Sequence, residues 1–473
     1  MTNIIAKKEF AQTLRDKRFW LVAILVWSLL ISASVVGYVN YRKIQAERNQ
    51  ASETANELWL TQGDKNPHSA AHYGSFAYRP KSPLSFFDFG TDSFTGMSVR
   101  LEAHKQSDAL FSAAQESSSL IRFGELTTAF ILQLLLPLLV IFLCFNAFTK
   151  EREEKTLHLL LSQGVSMKQI AWGKIKGFSW VVACLALPAL ALVLVLFALQ
   201  SSTGFSTDWL IRAIILVAIY VAYLFVFVTL SVWVSAKANS SKSALLSLLV
   251  VWIFACVVVP KAVVNVASSS YPVPSSLNFR KAIKDDVAQG INGHDPKDER
   301  AKELKEKVFA EYGVESADEL PINFDAVQMQ EGEIYSAMVY QKHFTELQET
   351  YQSQNRVSEW LGVVNPFLAM RHLSMTLSGS DYVAHADFQK QAETYRFEMV
   401  ELLNNYMRDN SKTGDWYFTV NDEVWSQMPP FEYQEPALGG VLSRSALSIF
   451  AVLVWVALGS LAISKLDKSV INA

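Results

Sequence analysis

The sequence predicts an all-α polytopic membrane protein. It has six transmembrane helices and a large, mainly helical domain outside the membrane, with room for minor β structure. Hydrophobic residues make up 51% of the 473 residues and the mean hydropathy is +0.17, which is high for a chain that folds in water. Six windows contain no Asp, Glu, Lys or Arg and are about long enough to cross roughly 30 Å of hydrocarbon. These windows are 20–39, 126–148, 178–200, 213–236, 243–260 and 445–464.

The distribution of basic residues predicts the topology. Five basic residues precede the first window and six lie between the second and third, whereas the short loop 201–208 has none. Because basic loops stay on the cytoplasmic side, we expect a multi-pass protein of a bacterial inner membrane with both termini cytoplasmic and the large domain periplasmic. The first window is too long for a cleaved signal peptide and lacks an A-x-A-like site, so it should be retained.

The predicted segments follow from these windows and their flanks. In residues 1–19, Ile4, Ile5, Phe10 and Leu14 lie opposite basic residues, which is typical of an amphipathic helix at the membrane interface. An ordinary basic flank is an equal alternative. In chain order we expect an interfacial helix at 1–19, transmembrane helices at 20–39, 123–148, 177–200, 209–236, 243–261 and 443–464, periplasmic segments at 40–122 and 262–442, a cytoplasmic helix at 149–176 and a cytoplasmic tail at 465–473.

The second periplasmic segment is mostly helical by pattern. The expected helices run from Ser276 to about Gln289, from Asp295 and Pro296 to Gly313, from Asn323 to Gly362 and from about Tyr382 to Asp409. The last of these has an apolar seam that a partner helix must cover, and residues 416–433 are aromatic and more strand-like. Because all three cysteines lie in predicted spans, the domain has no disulfide and depends on packing.

Phosphate-binding and catalytic motifs are missing from the sequence. Gly173 and Lys174 are followed by Ile175, so the loop that cradles nucleotide phosphates is not formed here. No ionisable residue lies in the six windows, which argues against ion-coupled transport. Arg212 flanks the fourth window, where it should extend to lipid headgroups. The net charge of −3 gives no indication of nucleic-acid binding.

The histidines give only a weak indication of a metal site. His68 and His72 are four residues apart, but no Glu follows the first His as in a zinc protease. Together with His104 they have the chemistry to bind a metal. We nevertheless expect scattered surface histidines and no metal site.

The segment that follows the second window carries the strongest functional signal. Five charged residues, 151–155, come directly after the membrane, and a leucine-rich amphipathic run, 157–161, follows them. A short helix of this kind suits a groove on a soluble partner. The alternative is a solvated turn with a basic flank.

This segment, KEREEKTLHLLLSQGVSMKQIAWGK, resembles the cytoplasmic segment of ATP-binding-cassette transporter permeases of the type-2 exporter class. Glu151 and Glu153 match the paired acids, Thr156 and Leu157 the T-L, Leu160, Leu161 and Ser162 the L-L-S, and Gly173 with Lys174 the G-K pair. The stretch 7–20 is similar to the elbow helix of the same class. Residues 364–407 resemble the external domain of a bacterial branch whose periplasmic insertion has no assigned role. The family usually has Gly where Lys155 stands and Pro where Gly164 stands.

The resemblance implies that this chain is a permease subunit without an enzymatic site or cofactor of its own. ATP and Mg²⁺ would bind two copies of a partner ATPase, and a second permease, identical or paralogous, would complete the complex. The implied coupling residues are Glu151, Arg152, Glu153, Thr156, Leu157, Leu160 and Leu161. The implied activity is export of a hydrophobic or amphipathic substrate, whose binding residues the sequence does not indicate. Two alternatives remain: mechanotransmission to a periplasmic or envelope partner, and a membrane-anchored receptor without an ATPase.

Overall fold

Six long apolar helices form the membrane part of the protein, which confirms the predicted all-α polytopic fold. The computed structural model describes residues 1–109, 126–200, 206–291, 293–294 and 298–467. Within these ranges the helices long and apolar enough to cross a membrane, here called the first to sixth spans, are Phe19–Leu60, Thr128–Glu153, Met167–Gln200, Thr207–Lys237, Ser241–Ser270 and Leu438–Ser464.

The elements alternate between the membrane part and the domain. In chain order they are α1 (Thr2–Arg15), α2 (Lys17–Leu60), α3 (Pro67–Tyr73), β1 (Ser75–Tyr78), β2 (Ser98–Glu102), β3 (Lys105–Gln106), α4 (Thr128–Phe130), a π-helical turn (Ile131–Leu135), α5 (Leu136–Cys144), α6 (Thr149–Glu153), α7 (Leu157–Ser162), α8 (Met167–Gln200), α9 (Thr207–Lys237), α10 (Ser241–Ile253), a second π-helical turn (Phe254–Val258), α11 (Val259–Ser270), α12 (Ser276–Val287), α13 (Glu299–Tyr312), a 3-10 turn (Ala317–Glu319), α14 (Phe324–Gly362), α15 (Pro366–Ser378), α16 (Tyr382–Asn410), α17 (Asp422–Trp425) and α18 (Leu438–Ser464). We call the end with α1, α6 and α7 the terminal side, and the opposite end the domain side.

Helix α2 continues without a break from the membrane into the domain. Its 44 residues extend about 66 Å at 1.5 Å per residue, roughly twice the thickness of the hydrocarbon layer. Near its far end Trp59 is buried, and its indole N–H donates to the carbonyl of Trp425 at 3.0 Å. At mid-length, a Cβ on Gly37 would lie 2.6 Å from the carbonyl oxygen of Phe86. Only glycine therefore lets the domain loop pack this closely against the helix.

The cytoplasmic segment predicted at 149–176 consists of three elements rather than one helix. It contains α6, α7 and the first turns of α8, which starts at Met167 instead of at the predicted residue 177. The earlier start has a local cause, because Ser166 and Gln169 form a capping box in which each side chain accepts a hydrogen bond from the other residue's backbone N–H. Two turns separate the helices, and their residues Lys155 and Gly164 have φ angles of 59° and 83°.

A small antiparallel sheet lies in the first part of the domain. Its strand order is β1-β2-β3. Ser75 pairs with Leu101, and Leu101 with Gln106. The sheet and α3 pack on α16. They fill one side of the domain core.

The apolar seam of α16 is covered by several short elements instead of the expected single partner helix. Phe388, Ala392 and Met399 are buried in one cluster with Trp59 and Trp425, and this cluster includes residues from α3, β2 and the stretch 418–433. Short segments suffice because each contributes a few apolar side chains to a continuous core. The domain is thus closed by segments from both halves of the chain.

Two local predictions for the domain differ from the structure. Residues 416–433 were expected to be strand-like, but in the structure they contain the short helix α17 and one isolated bridge, Val420 to Lys65. Helix α13 is capped by Asp298, whose carboxylate accepts from a backbone N–H two residues later. The cap predicted at Asp295 and Pro296 lies outside the described residues. Gly313 ends α13 as expected.

Arg212 does not extend to lipid headgroups as expected. Its side chain is buried, its guanidinium lies 4.3 Å from the ring centroid of Trp209, and it donates to the carbonyl of Pro436. Asp208, one helical turn before it, lies 3.7 Å away. The arginine therefore joins the start of α9 to the segment that leads into α18.

A buried ion pair joins the two halves of the domain. The Asp92 carboxylate accepts from Arg79 at 3.1 Å and from Lys81 at 2.9 Å, and Arg79 also donates to the carbonyl of Gly379 at 2.9 Å. Burial alone raises the pKa of Asp92, but the charges of Lys81 and Arg79 outweigh it and hold this pKa below its ordinary value.

We expect Asp92→Asn to lower stability by about 1.5–3 kcal/mol at neutral pH, the range for a hydrogen bond to a charged group. The ion-pair contribution is complete above the ordinary pKa of 3.8 and is lost as pH falls through the lowered folded value. The thermal midpoint of the wild type should therefore fall more steeply in acid than that of the variant. Parallel slopes below pH 4 would contradict this assignment.

Candidate functional site

Residues 149–166, called the coupling segment after the role that the resemblance implies, are fixed to the rest of the protein by a buried ion triad. Lys174 of α8 is 2% exposed, and its ammonium donates to carboxylate oxygens of Glu9 and Glu151 at 2.9 Å each. Lys8 lies 4.0 Å from the same Glu151 oxygen. The triad thus joins α1, α6 and α8 at one point.

A second set of contacts joins α6 to the loop between the fourth and fifth spans. Arg152 donates to the carbonyls of Ala236 and Ala238 at the end of α9, at 2.9 Å for Ala236, where helical carbonyls lack partners. Glu153 accepts from the backbone N–H of Ser241 at 2.7 Å and from its hydroxyl at 3.0 Å. A carboxylate is favourable at this start of α10 because of the helix dipole.

The predicted coupling residues therefore mostly contact their own chain. Glu151, Arg152 and Glu153 take part in the contacts above, and Leu157 is 1% exposed in the largest apolar cluster of the protein. The remaining predicted residues, Leu160, Leu161 and Thr156, are partly buried. Six of the seven predicted residues are therefore buried or partly buried and support the shape of the segment, whereas Glu153 is exposed and contacts Ser241.

A different set of residues faces outward. Glu154, Lys155, His158 and Leu159 are exposed, and Leu159 keeps 63% of its surface accessible. We call these four residues the coupling tip. The T-L-x-x-L-L-S pattern leaves positions 158 and 159 unspecified, so the resemblance did not select them. Helical spacing could have selected them, because residues three and four after Leu157 share its inward face while the two between them do not.

Lys155 stands where the permeases that this segment resembles usually have glycine. Its φ of 59° lies in the left-handed region, which glycine adopts without steric cost and other residues at a cost. Lysine therefore occupies a turn conformation that suits the glycine usual in the family. Gly164, with φ of 83°, replaces the usual proline at the second turn, where proline could not adopt this angle. The second turn is thus shaped differently.

A cleft of about 750 Å³ lies beside the coupling tip. Its lining includes Lys8, Glu9, Gln12 and Lys150 as well as Leu159. The cleft lies between α1 and the coupling segment on the terminal side, next to the ion triad that joins them.

A buried polar cluster lies at the other end of the spans. Asp88, from the domain loop, accepts a hydrogen bond from Ser374, which is also 2.9 Å from the hydroxyl of Tyr220. Gln133, in the first π-helical turn, donates to Tyr220 at 2.7 Å. Burial raises the pKa of Asp88 above its ordinary value. The cluster borders a cavity of about 400 Å³ that also contacts Arg371. The apolar windows could not indicate it, because the carboxyl group enters from the domain.

Four histidines meet on the surface of the domain, so the expectation of scattered surface histidines is wrong. His68, His72, His104 and His294 each offer a ring nitrogen, and these atoms lie within 4.8 Å of one another. Burial lowers the pKa of His68 to about 3, with smaller effects of Asn404 and the other histidines. The sequence pointed only weakly to His68, His72 and His104, and it gave no signal for His294, which lies 190 residues after His104.

Comparisons with known proteins give two families of undetermined role. The family described as "Domain of unknown function (DUF3526)" matches residues 277–434, and "Protein of unknown function (DUF2705)" matches residues 103–290. Each match covers less than half of the chain. The first covers most of the second half of the domain, and the second covers four of the six spans. The comparison with curated proteins gives no match.

Proposed function

We propose that the chain is the permease subunit of an ATP-binding-cassette transporter, coupling ATP hydrolysis by a separate ATPase to export of a hydrophobic or amphipathic substrate. The observation that supports this most is the coupling tip. A helix that transmits force between proteins needs an exposed contact surface and a firm attachment. Leu159 provides the first, and the Lys174 triad provides the second. A solvated turn would need neither.

The charge distribution supports a location in a bacterial inner membrane with the coupling tip in the cytoplasm. Most basic residues of the short loops lie on the terminal side, which the positive-inside rule assigns to the cytoplasm. The domain would then be periplasmic. On this topology the tip faces the compartment that contains ATP.

The proposed complex contains two ATPase subunits and a second permease, identical or paralogous. ATP and Mg²⁺ would bind the ATPases. The fifth span exposes Leu246, Val250 and Phe254 along one face, and this apolar face suits either lipid or the second permease. Each coupling tip would enter a groove on one ATPase.

Mechanotransmission is the second candidate, and the continuity of α2 favours it. One helix begins beside α1 on the terminal side and ends in the domain core at Trp59. A movement at the coupling segment would therefore reach the domain without passing through a flexible linker. In this version the domain acts on an envelope partner and no substrate crosses the membrane.

The decisive substitution is Leu159→Asp. A charge at the centre of an apolar contact should reduce ATPase binding by at least about tenfold. A photoreactive residue at position 158 first cross-links the full-length chain to its partner in native membranes. The measurement is the ATPase activity that then co-purifies with the chain. A matched control is Leu277→Asp, because Leu277 is 78% exposed on the domain side and the same charge there should have no effect.

Two results would contradict the proposal. One is cross-linking that captures no ATP-binding chain, and the other is equal loss of ATPase activity in the Leu159 and Leu277 variants. If coupling is confirmed, vesicles that hydrolyse ATP but accumulate no amphipathic dye would favour mechanotransmission over export.

A further inference from the structure

We propose that the four histidines form a binding site for a late first-row divalent transition metal such as Zn²⁺. The four side chains come from α3, the β2–β3 turn and the loop after α12. The chain has eight histidines in total, and half of them converge on this one point. The inference concerns the domain alone and does not depend on the proposed transport function.

The hydrogen bonds around the cluster fix which ring nitrogens face its centre. His68 Nδ1 lies 3.1 Å from Oδ1 of Asn404, whose amide group donates to Gln330 at 2.9 Å. The Asn404 oxygen is therefore the acceptor, and His68 Nδ1 carries the proton. His104 Nδ1 lies 3.3 Å from a carboxylate oxygen of Glu333, which can only accept. In the neutral rings both Nε2 atoms then present lone pairs.

These lone pairs point at each other. The Nε2 atoms of His68 and His104 are 3.4 Å apart, and those of His104 and His294 are 2.9 Å apart. At 3.4 Å the two acceptors, on His68 and His104, repel each other unless a cation lies between them. For Zn–N bonds of about 2.0–2.1 Å, a tetrahedral site has nitrogen atoms roughly 3.3 Å apart. The spacing thus suits a metal ion after small side-chain adjustments.

The surrounding residues resemble the outer shell of a metal site. Metal-binding histidines usually donate their second ring N–H to a carboxylate or carbonyl oxygen, which fixes the ring. His104 has this partner in Glu333, and Glu333 is itself held by Arg396 at 2.6 Å. His68 has it in Asn404. His72 and His294 are exposed, so an ion can reach the site from solvent.

The backbone also holds the ligands in place. His104 has a φ of 67° at the β2–β3 turn, which non-glycine residues adopt rarely, and its backbone N–H donates to Glu333 at 2.7 Å. A Cβ on Gly332 would lie 3.0 Å from the backbone nitrogen of Gly293. This close approach of α14 keeps the loop with His294 beside the other three ligands.

Imidazole nitrogens select the class of ion. Neutral nitrogen ligands suit Zn²⁺, Cu²⁺ and Ni²⁺, whereas Mg²⁺ and Ca²⁺ prefer oxygen. A four-histidine set fills a tetrahedral shell, so a structural or regulatory role fits better than hydrolysis, which needs an open position. A bound ion would join the first and second segments of the domain.

The test uses the full-length protein in detergent, purified without a polyhistidine tag and stripped with a chelator. We expect one Zn²⁺ per chain by titration calorimetry and elemental analysis, with no binding of Mg²⁺ or Ca²⁺. His72→Ala and His294→Ala should each weaken zinc binding at least about tenfold, and together abolish it. The control is His158→Ala, because this exposed histidine lies outside the cluster.

Zinc should also raise the thermal midpoint of the wild type but not that of the double variant. If the wild type and the double variant have equal thermal midpoints in chelator, misfolding is excluded as the cause of the lost zinc binding. The proposal is wrong if the wild type binds no more zinc than the double variant, or if His158→Ala has the same effect. If the double variant is unstable in chelator, the test is the absorption spectrum of the wild type loaded with Co²⁺. We expect the spectrum of tetrahedral Co²⁺, and its absence would overturn the proposal.

Discussion

Replacing Lys174 by Met should destabilise the protein by about 3–5 kcal/mol, the cost of removing one member of a buried ion pair. The variant would leave the carboxylates of Glu9 and Glu151 close together without a buried cation. Repulsion between them should release α1 from α8 and disorder the coupling segment. The measurements are the thermal midpoint in detergent and the rate of proteolysis in residues 149–166.

The same helix provides the matched control for this prediction. Lys176 is exposed and donates to Asn3 at 2.8 Å, so Lys176→Met should cost at most about 1 kcal/mol. Adding Glu151→Gln to the Lys174 variant removes one of the two repelling charges and should restore part of the stability. Equal effects of the two lysine variants would show that the triad is not important for stability.

Arg396→Met is the second substitution for which we expect a loss of about 3–5 kcal/mol. Arg396 is 1% exposed and contacts Glu333, which is fully buried, at 2.6 Å and Glu393 at 2.7 Å. It also donates to the carbonyl of Glu102 at 3.1 Å. Its removal would leave a buried carboxylate without its main partner and separate α14, α16 and β2. Chemical unfolding in the presence of a chelator measures the effect apart from any metal.

Arg408→Met on the same helix is the control. Arg408 pairs with the adjacent, half-exposed Asp409, and exposed pairs contribute about 0–1 kcal/mol. A difference of less than about 1 kcal/mol between the two arginine variants would mean that the Glu333 contact contributes little to the stability of the domain.

The membrane helices could be predicted from the sequence because hydrocarbon imposes one simple requirement on the chain, a long uncharged window. The ends of the helices could be predicted less well from the sequence. The Ser166–Gln169 capping box extends α8 toward the terminal side, and hydropathy does not detect a cap. The continuation of α2 to Leu60 lies beyond the apolar window, so hydropathy does not detect it either.

The charged motif drew attention to the candidate segment, but it did not predict how the residues of that segment are arranged. A motif does not distinguish an exposed side chain from one that holds the segment in place. Glu151 and Leu159 illustrate the difference, since the first is in the buried triad and the second is 63% exposed. The histidine cluster required tertiary contacts between distant segments, which no local pattern contains.

The unbroken length of α2 has a geometric consequence. Because the helix contains no proline and extends about 66 Å, it should rotate as a nearly rigid rod. A tilt of about 5° around its terminal end would displace Trp59 by roughly 6 Å. Small angular changes near α1 should therefore become visible as large shifts of the domain, and the distance between labels at the two ends of the rod would report them.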